Sequence, residues 1–270
     1  MLRELSRSSL ITAIEGNLFG LCRQFANWPR AQVHDGPDLL WSVTDVPFPV
    51  FNSILRARLR PADADQAITA AIARARARNV PVLWWTGPET APADLAARLI
   101  ARGFRGETIP GMAADLQALP ETLRAPAGLK IVRVTDAKTM ALWCRALAAG
   151  FGIPDFARDA FFDFSCALGF SDLTPYRNYL GLLEGKPVAA SSMFLGAGVA
   201  GIYNVAVIPE ARQQGIGAAM TVNPLFGARA IGYRAGILQS SVMGASVYEG
   251  LGFAEYCRIG QYVWRDESAV

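Results

Sequence analysis

The sequence predicts a mixed fold of helices and strands, of the α/β or α+β class, and three observations carry that prediction. Short apolar runs alternate with longer amphipathic stretches in both halves of the chain. Residues 187–209 hold no charged side chain and have Gly196-Ala197-Gly198 at their centre, the pattern of two buried strands joined by a glycine-rich turn. Prolines and glycines fall where such elements should start and stop, as at Pro92 and Gly103.

In chain order, residues 1–26 read as an amphipathic helix. Glu4, Glu15 and Arg23 interrupt its apolar positions, so no signal-peptide core is present. A stretch rich in Pro, Asp and Gly, 35–49, precedes one or two strands between 39 and 60. A helix is expected over 63–78, a strand over 80–86, and a helix from Pro92 to Gly103, glycine being a common helix stop. The segment 120–128, with two prolines and a glycine, is the best domain boundary, dividing the chain into 1–125 and 129–270. Beyond it the pattern gives a strand over 129–134, helices over 136–149 and 155–168, a strand over 177–184, and then the 187–209 hairpin. A helix over 215–231, a strand over 235–239, a helix over 244–251 and a strand over 253–264 complete the order. Pro224, inside the 215–231 helix, should kink it.

Composition narrows the function classes. The 270 residues are 52% apolar and 18% charged, which excludes a disordered chain. A net charge of +3 lacks the excess of a nucleic-acid binder, so no nucleic-acid partner is expected. The uncharged 187–209 stretch is long enough to cross a bilayer, but Ser191, Ser192, Asn204 and its glycines favour a soluble hairpin and no membrane partner. Cys22, Cys144, Cys166 and Cys257 form no C-x-x-C, and His34 is the only histidine. No metal site and no disulfide framework are expected, only reduced thiols in a cytoplasmic protein.

The most informative run is Val205-Ala206-Val207-Ile208-Pro209, followed by Arg212-Gln213-Gln214-Gly215-Ile216-Gly217-Ala218. It reads as a strand, a turn ended by proline, and a glycine-bearing helix start. Free N–H groups and the positive end of the helix dipole converge there, and Gly215 and Gly217 remove side chains that would hold an anion away. The same glycines also suit an ordinary helix start. Neither the dinucleotide G-x-G-x-x-G nor the P-loop pattern fits.

This run resembles the acetyl-CoA motif of the GNAT superfamily of N-acetyltransferases, R/Q-x-x-G-x-G/A after a strand ending in proline. A second hallmark follows, Val247-Tyr248-Glu249-Gly250-Leu251-Gly252-Phe253, similar to that family's Y-E-x-x-G-F. The resemblance covers residues 129–265. It implies a GNAT-like mixed central sheet flanked by helices, and acetyl-CoA as co-substrate. Val205, Ala206 and Val207 would pair with the pantetheine arm through their backbone. Gln213, Gln214, Gly215, Ile216, Gly217 and Ala218 would cradle the pyrophosphate, with Arg212 beside them. Tyr248 would protonate the departing CoA thiolate, although a core aromatic is also a reading of it.

The departures from the family are as informative. Many members carry a glutamate before the pantetheine strand as general base; here the region is Gly201-Ile202-Tyr203-Asn204. Val242 stands where an asparagine is common, leaving Ser240 and Ser241 nearby. Asp155, Asp159, Asp163 or an ordered water are the alternatives for the base. Phe151, Phe156, Phe161, Phe162 and Phe164 in the variable 136–176 region suggest an acceptor with an apolar portion near its amine, either a small molecule or a peptide. Whether the protein forms a homodimer stays open.

The first half echoes the second. The strand 80–86 and the helix ending Arg102-Gly103-Phe104 parallel the strand at 236–239 and the helix ending Leu251-Gly252-Phe253. Between its strand and helix lies Arg60-Pro61-Ala62-Asp63-Ala64-Asp65, with two acids and no glycine. This suggests a degenerate GNAT-like repeat in 1–125, possessing no anion cradle, before the N-acetyltransferase domain of 129–270. Arg56, Arg58 and Arg60 would share a strand face, and Arg74, Arg76 and Arg78 would favour a helix C-terminus. The function expected is direct transfer of acetyl from acetyl-CoA to an amine; the alternative is a non-catalytic CoA-binding or interaction module.

Overall fold

The computed structural model describes residues 1–120, 125–241 and 244–266. Its first elements are α1 (Arg7–Arg23), β1 (Gln32–Asp35), β2 (Leu40–Val43), β3 (Ser53–Leu55), α2 (Ala64–Arg78), β4 (Val82–Thr86), α3 (Leu95–Ala101) and β5 (Arg105–Asp115). Then come β6 (Leu129–Arg133), α4 (Ala137–Phe151), α5 (Asp155–Leu168), β7 (Tyr176–Leu183), β8 (Lys186–Gly196) and β9 (Val199–Val207). The last are α6 (Ile216–Ala230), β10 (Ala235–Gln239), α7 (Ala245–Gly250) and β11 (Ala254–Trp264).

Two compact units result, and neither is a consecutive stretch. One comprises residues 1–17 and 111–256, the other 18–110 and 257–270. The linear division 1–125 and 129–270 cuts the chain differently, for a reason visible in the strand pairing. In the first unit the antiparallel neighbour of β10 is the second half of β5 (Ala235↔Asp115 to Gln239↔Gly111). In the second unit the antiparallel neighbour of β4 is β11 (Gly260↔Thr86 to Trp264↔Val82). Each half of the sequence thus supplies a strand to the unit built mainly from the other.

The echo between the halves is structural. Each unit has a parallel strand pair, β3 with β4 and β9 with β10. In each, the following helix ends at a glycine in the left-handed region, Gly103 (φ 86°) or Gly252 (φ 90°). A buried phenylalanine comes next, and its N–H closes the helix end: Phe104 to Leu99 O and Phe253 to Tyr248 O.

In the first unit β8, β7 and β6 continue antiparallel from β9. β8 and β9 meet in a two-residue turn in which Ala197 (φ 50°) and Gly198 (φ 76°) are both left-handed, the geometry that matches strand twist. Alternate residues of β8 then serve opposite faces. Ser191 reaches α6, whereas Ser192 joins Tyr176 and Asn178 on the face where Asn178 meets Met140 of α4 and Tyr176 meets Phe164 of α5. In the second unit, α2 and α3 pack Ile68, Ala71, Leu95 and Leu99 onto Ile54, Trp84 and Trp264.

Several expectations change. β1 lies beyond the anticipated strands. β5 is missed because Gly106, Pro110 and Gly111 interrupt its alternation. The arginines 56, 58 and 60 do not share a strand face: β3 ends at Leu55 and Arg56 is left-handed (φ 52°). Each finds a separate acid, Asp35, Glu89 and Asp63 respectively. Arg74 lies over Trp41, and Arg76 pairs with Asp266.

Pro224 does not end α6, which runs through it to Ala230. The proline lacks the N–H that would bond the Met220 carbonyl, and the buried Ser191 hydroxyl donates to that carbonyl instead at 2.9 Å. Ser191→Ala should therefore cost about 1–3 kcal/mol, because a buried carbonyl loses its partner. Urea unfolding followed by circular dichroism measures it, and a loss under about 0.5 kcal/mol would contradict the assignment.

Candidate functional site

The site is built on β9, and its first feature is a missing neighbour. The parallel ladder to β10 holds Ala200, Gly201 and Ile202, and ends at Ile202↔Leu238. β9 runs on to Val207, still paired with β8 through Ala190↔Ala206 and Ala189↔Val207. Ile208 N bonds Val188 O, so residues 206 and 208 turn their backbone groups to β8. Val205 and Val207 turn theirs to the other edge, where no strand among the described residues pairs with them.

A bulge sets this alternation. Ser192 faces Tyr203 and Ala190 faces Ala206, so one β8 residue opposes two on β9. Asn204, at φ 55°, is the residue that absorbs the excess. Val205 and Val207 consequently direct their side chains to the α6 face, against Ile216 and Met220.

The second feature is the start of α6. Gln213 (φ 60°) and Gly215 (φ 78°) are both left-handed, and Gly215 caps the helix without any side-chain bond. The first helical bond is Ala219 N to Gly215 O, which leaves the N–H groups of Ile216, Gly217 and Ala218 unspent within the helix. No acid lies in the first turn. Residues 212–215 are exposed, and a Cβ placed on Gly217 would meet only Val207 Cγ2, at 3.8 Å. The arrangement is open, N–H-lined and electropositive, which fits a pyrophosphate.

Arg212 adjoins the helix start and makes bonds of its own. Its guanidinium donates to Val207 O (3.2 Å) and Gly150 O (2.8 Å), so it fastens the loop to the end of β9 and to α4. Val207 is left with its N–H as the free group on that edge. Gly150 allows the approach of α4, since a Cβ there would lie 2.8 Å from Ala206 Cβ and 3.2 Å from both Val207 N and O.

The third feature is Tyr248 on α7. Its ring meets Phe253 edge-on at 6.1 Å and packs, with Val205 and Ala218, against the core of Ile202, Leu225 and Leu238. Burial pushes its phenol above the usual tyrosine value, opposed by the Thr221 hydroxyl. Tyr248 therefore holds its proton at neutral pH. The strand edge and the helix start, close in sequence, and the more distant tyrosine thus border one core.

Other candidates lie elsewhere. Asp155 and Asp159 are exposed and both paired with Arg158, and Asp163 is also exposed. Phe161 and Phe164 are core residues, whereas Phe151 and Phe156 are 56% and 47% exposed. His34 stacks on Trp41 in the second unit. Ser240 is buried and donates to Ser241 O. Val242 lies outside the described residues. Among the described residues no group of three or more potential metal ligands exists, and no helix is long and apolar enough to cross a membrane.

The second unit supplies an internal comparison, and its Ala91 is a contact with no signature in the sequence. Leu59-Arg60-Pro61 corresponds to Val207-Ile208-Pro209, so Ala57 and Leu59 stand where Val205 and Val207 do. Here the edge is closed: Ala91 N donates to Ala57 O (2.9 Å), and Leu59 N donates to Ala91 O (3.0 Å). The chain after β4 fills the slot itself. At the matching helix start, Asp63 pairs with Arg60 and Asp65 follows in the first turn, so an anion finds no cradle.

No protein-family profile and no curated protein matches the sequence. Solved structures do match in fold. A GCN5-related N-acetyltransferase from Kribbella flavida is 18% identical, with TM-score 0.66, covering 92% of this chain and 95% of its own. Another from Sphaerobacter thermophilus is 18% identical, with TM-score 0.60, covering 96% and 91%. A tandem GNAT protein from the clavulanic acid biosynthesis pathway is 14% identical, with TM-score 0.57, covering 96% and 94%. The fold is that of the GNAT N-acetyltransferases, a mixed sheet flanked by helices.

Two glycines separate fold from site. Gly150→Ala should destabilise by about 1–3 kcal/mol, since its Cβ collides with β9. Gly217→Ala should be neutral or stabilising by up to about 1 kcal/mol, because its Cβ meets ordinary contact only. Thermal unfolding of both variants tests the pair, and the reverse order would show that Gly217 serves the fold.

Proposed function

We propose that this protein is an N-acetyltransferase that carries acetyl from acetyl-CoA directly to an amine. The observation that carries the reading is the open edge at Val205 and Val207, running towards an N–H-lined helix start. Its counterpart in the second unit is closed by Ala91. An extended pantetheine arm offers amide groups at the spacing of a strand, so it would pair with Val205 and Val207 as a further strand. Its pyrophosphate would then lie on Gln213, Gln214, Gly215, Ile216, Gly217 and Ala218.

The chemistry needs little else. The amine nitrogen attacks the thioester carbon and the carbonyl oxygen takes up negative charge. The Val205 N–H, the donor on that edge farther from the pyrophosphate cradle, stabilises it, such a donor being worth about 3–4 kcal/mol. The C–S bond then breaks, and the sulfur takes a proton from Tyr248, giving CoA thiol and an N-acetyl product once the amine has shed its own proton. Phe151 and Phe156 suit an acceptor with an apolar portion.

Calorimetry should find one acetyl-CoA per chain, with binding abolished by Gly217→Glu while the far-ultraviolet circular dichroism stays unchanged. Two sites per chain, or undiminished affinity in the folded variant, would contradict the assignment. CoA release against an amine panel tests turnover, and binding with no turnover for any amine would leave a CoA-binding module.

Tyr248→Phe keeps the ring packing and removes the proton donor. The single-turnover rate of acetyl transfer should fall more than about tenfold, with the acetyl-CoA Kd nearly unchanged, since general acid catalysis contributes about 10²–10⁴-fold. A rate within about twofold of the parent at every pH would show that Tyr248 is a packing residue only.

A further inference from the structure

The bulge residue Asn204 does more than bend β9. Its side chain falls on the α4–α5 face, opposite α6, and its amide nitrogen donates to Tyr176 Oη (3.0 Å) and Ser192 Oγ (3.1 Å). Tyr176 in turn donates to Ser192 (3.1 Å), and Ser192 donates to Asn178 Oδ1 (2.7 Å). Every proton in this chain runs one way, towards Asn178. Both amide hydrogens of Asn204 are therefore spent inwards, and its orientation is locked.

The Oδ1 atom is the remainder. It has no partner among the described residues, is not among the enclosed polar atoms, and belongs to a half-buried residue. It stands one residue before Val205, on the face away from the α6 helix start. We propose that Asn204 Oδ1 positions the acceptor nitrogen by accepting a hydrogen bond from it, and that the acceptor reacts as the free amine without a carboxylate base. The proposal rests on the N-acetyltransferase reading and names how that site holds its second substrate.

The groups around Asn204 agree with this. Tyr176 faces it from β7, Tyr203 adjoins it on β9, and Cys144 of α4 lies behind Tyr176. Burial raises all three, Tyr176 and Cys144 to about 12, so none takes a proton near neutral pH. Tyr203 is further tied to Asn17 Oδ1 at 2.7 Å. The α5 carboxylates Asp155 and Asp159 are held outside by Arg158. A neutral acceptor-only oxygen accepts from the amine N–H and cannot remove a proton, so the ammonium proton goes to solvent before attack and the second N–H proton follows once the C–N bond has formed.

The test uses full-length protein, saturating acetyl-CoA, and two amines. Benzylamine is protonated at neutral pH and hydroxylamine is not. Asn204→Gly keeps the left-handed backbone and removes the oxygen. It should raise KM for both amines about tenfold, with kcat within about threefold and the acetyl-CoA Kd within about twofold. Asn204→Asp restores an acceptor and adds a base. It should recover KM and extend the kcat/KM of benzylamine to lower pH, while hydroxylamine shows no such extension. An unchanged amine KM in Asn204→Gly, or parallel pH profiles for parent and Asn204→Asp, would overturn the proposal and leave the N-acetyltransferase reading standing. A parent that releases CoA with no amine of a broad panel, these two included, would overturn both.

Discussion

Everything at this site depends on one strand giving up its partner. A backbone N–H or C=O that loses its ladder must find another acceptor or donor, or water. β9 loses β10 after Ile202 and keeps β8 to its end, so one row of groups stays satisfied while the other faces an open edge. An extended ligand completes that row in the same way a strand would. The α6 start lies at the end of the same run, because Pro209 turns the chain and Gly215 lets it enter the helix in a conformation that other residues rarely adopt. Arg212 then ties the turn to Val207 and Gly150, fixing the cradle relative to the strand edge.

The second unit shows what happens when the same edge is not reserved. Ala57 and Leu59 make with Ala91 the bonds that Val205 and Val207 hold open, and the helix that follows begins among acids. Closing the edge with the protein's own chain satisfies those groups permanently. It also removes any need for glycines at the helix start, and none is present there. The degenerate repeat is thus degenerate in two independent places, the slot and the cradle.

How much of this was legible in the sequence follows from the range of each interaction. The helix start was, because Gly215 and Gly217 after Pro209 act through local backbone geometry. The α3 and α7 endings were, because Gly103-Phe104 and Gly252-Phe253 repeat a local stop. The exchange of β5 and β11 was not: pairing partners far apart in sequence leave no periodic trace, and Gly106, Pro110 and Gly111 disguised β5. Ala91 was equally silent, since an alanine fills the slot with backbone alone. Asn204 was noticed as the absence of a carboxylate; its bulge and hydrogen-bond chain needed Tyr176, Asn178 and Ser192 brought beside it. Ser191 looked like an argument against a membrane span and proved to be the partner of a carbonyl freed by Pro224.

The central claim is that the β9 edge and the α6 start accept acyl-CoA while their counterparts in the second unit do not. Amide hydrogen exchange, read by mass spectrometry with and without saturating acetyl-CoA, tests it directly. Peptides spanning 205–218 should slow markedly on addition of the ligand, and peptides spanning 57–65 should be unchanged. Equal protection of both segments, or protection confined to 57–65, would contradict the account.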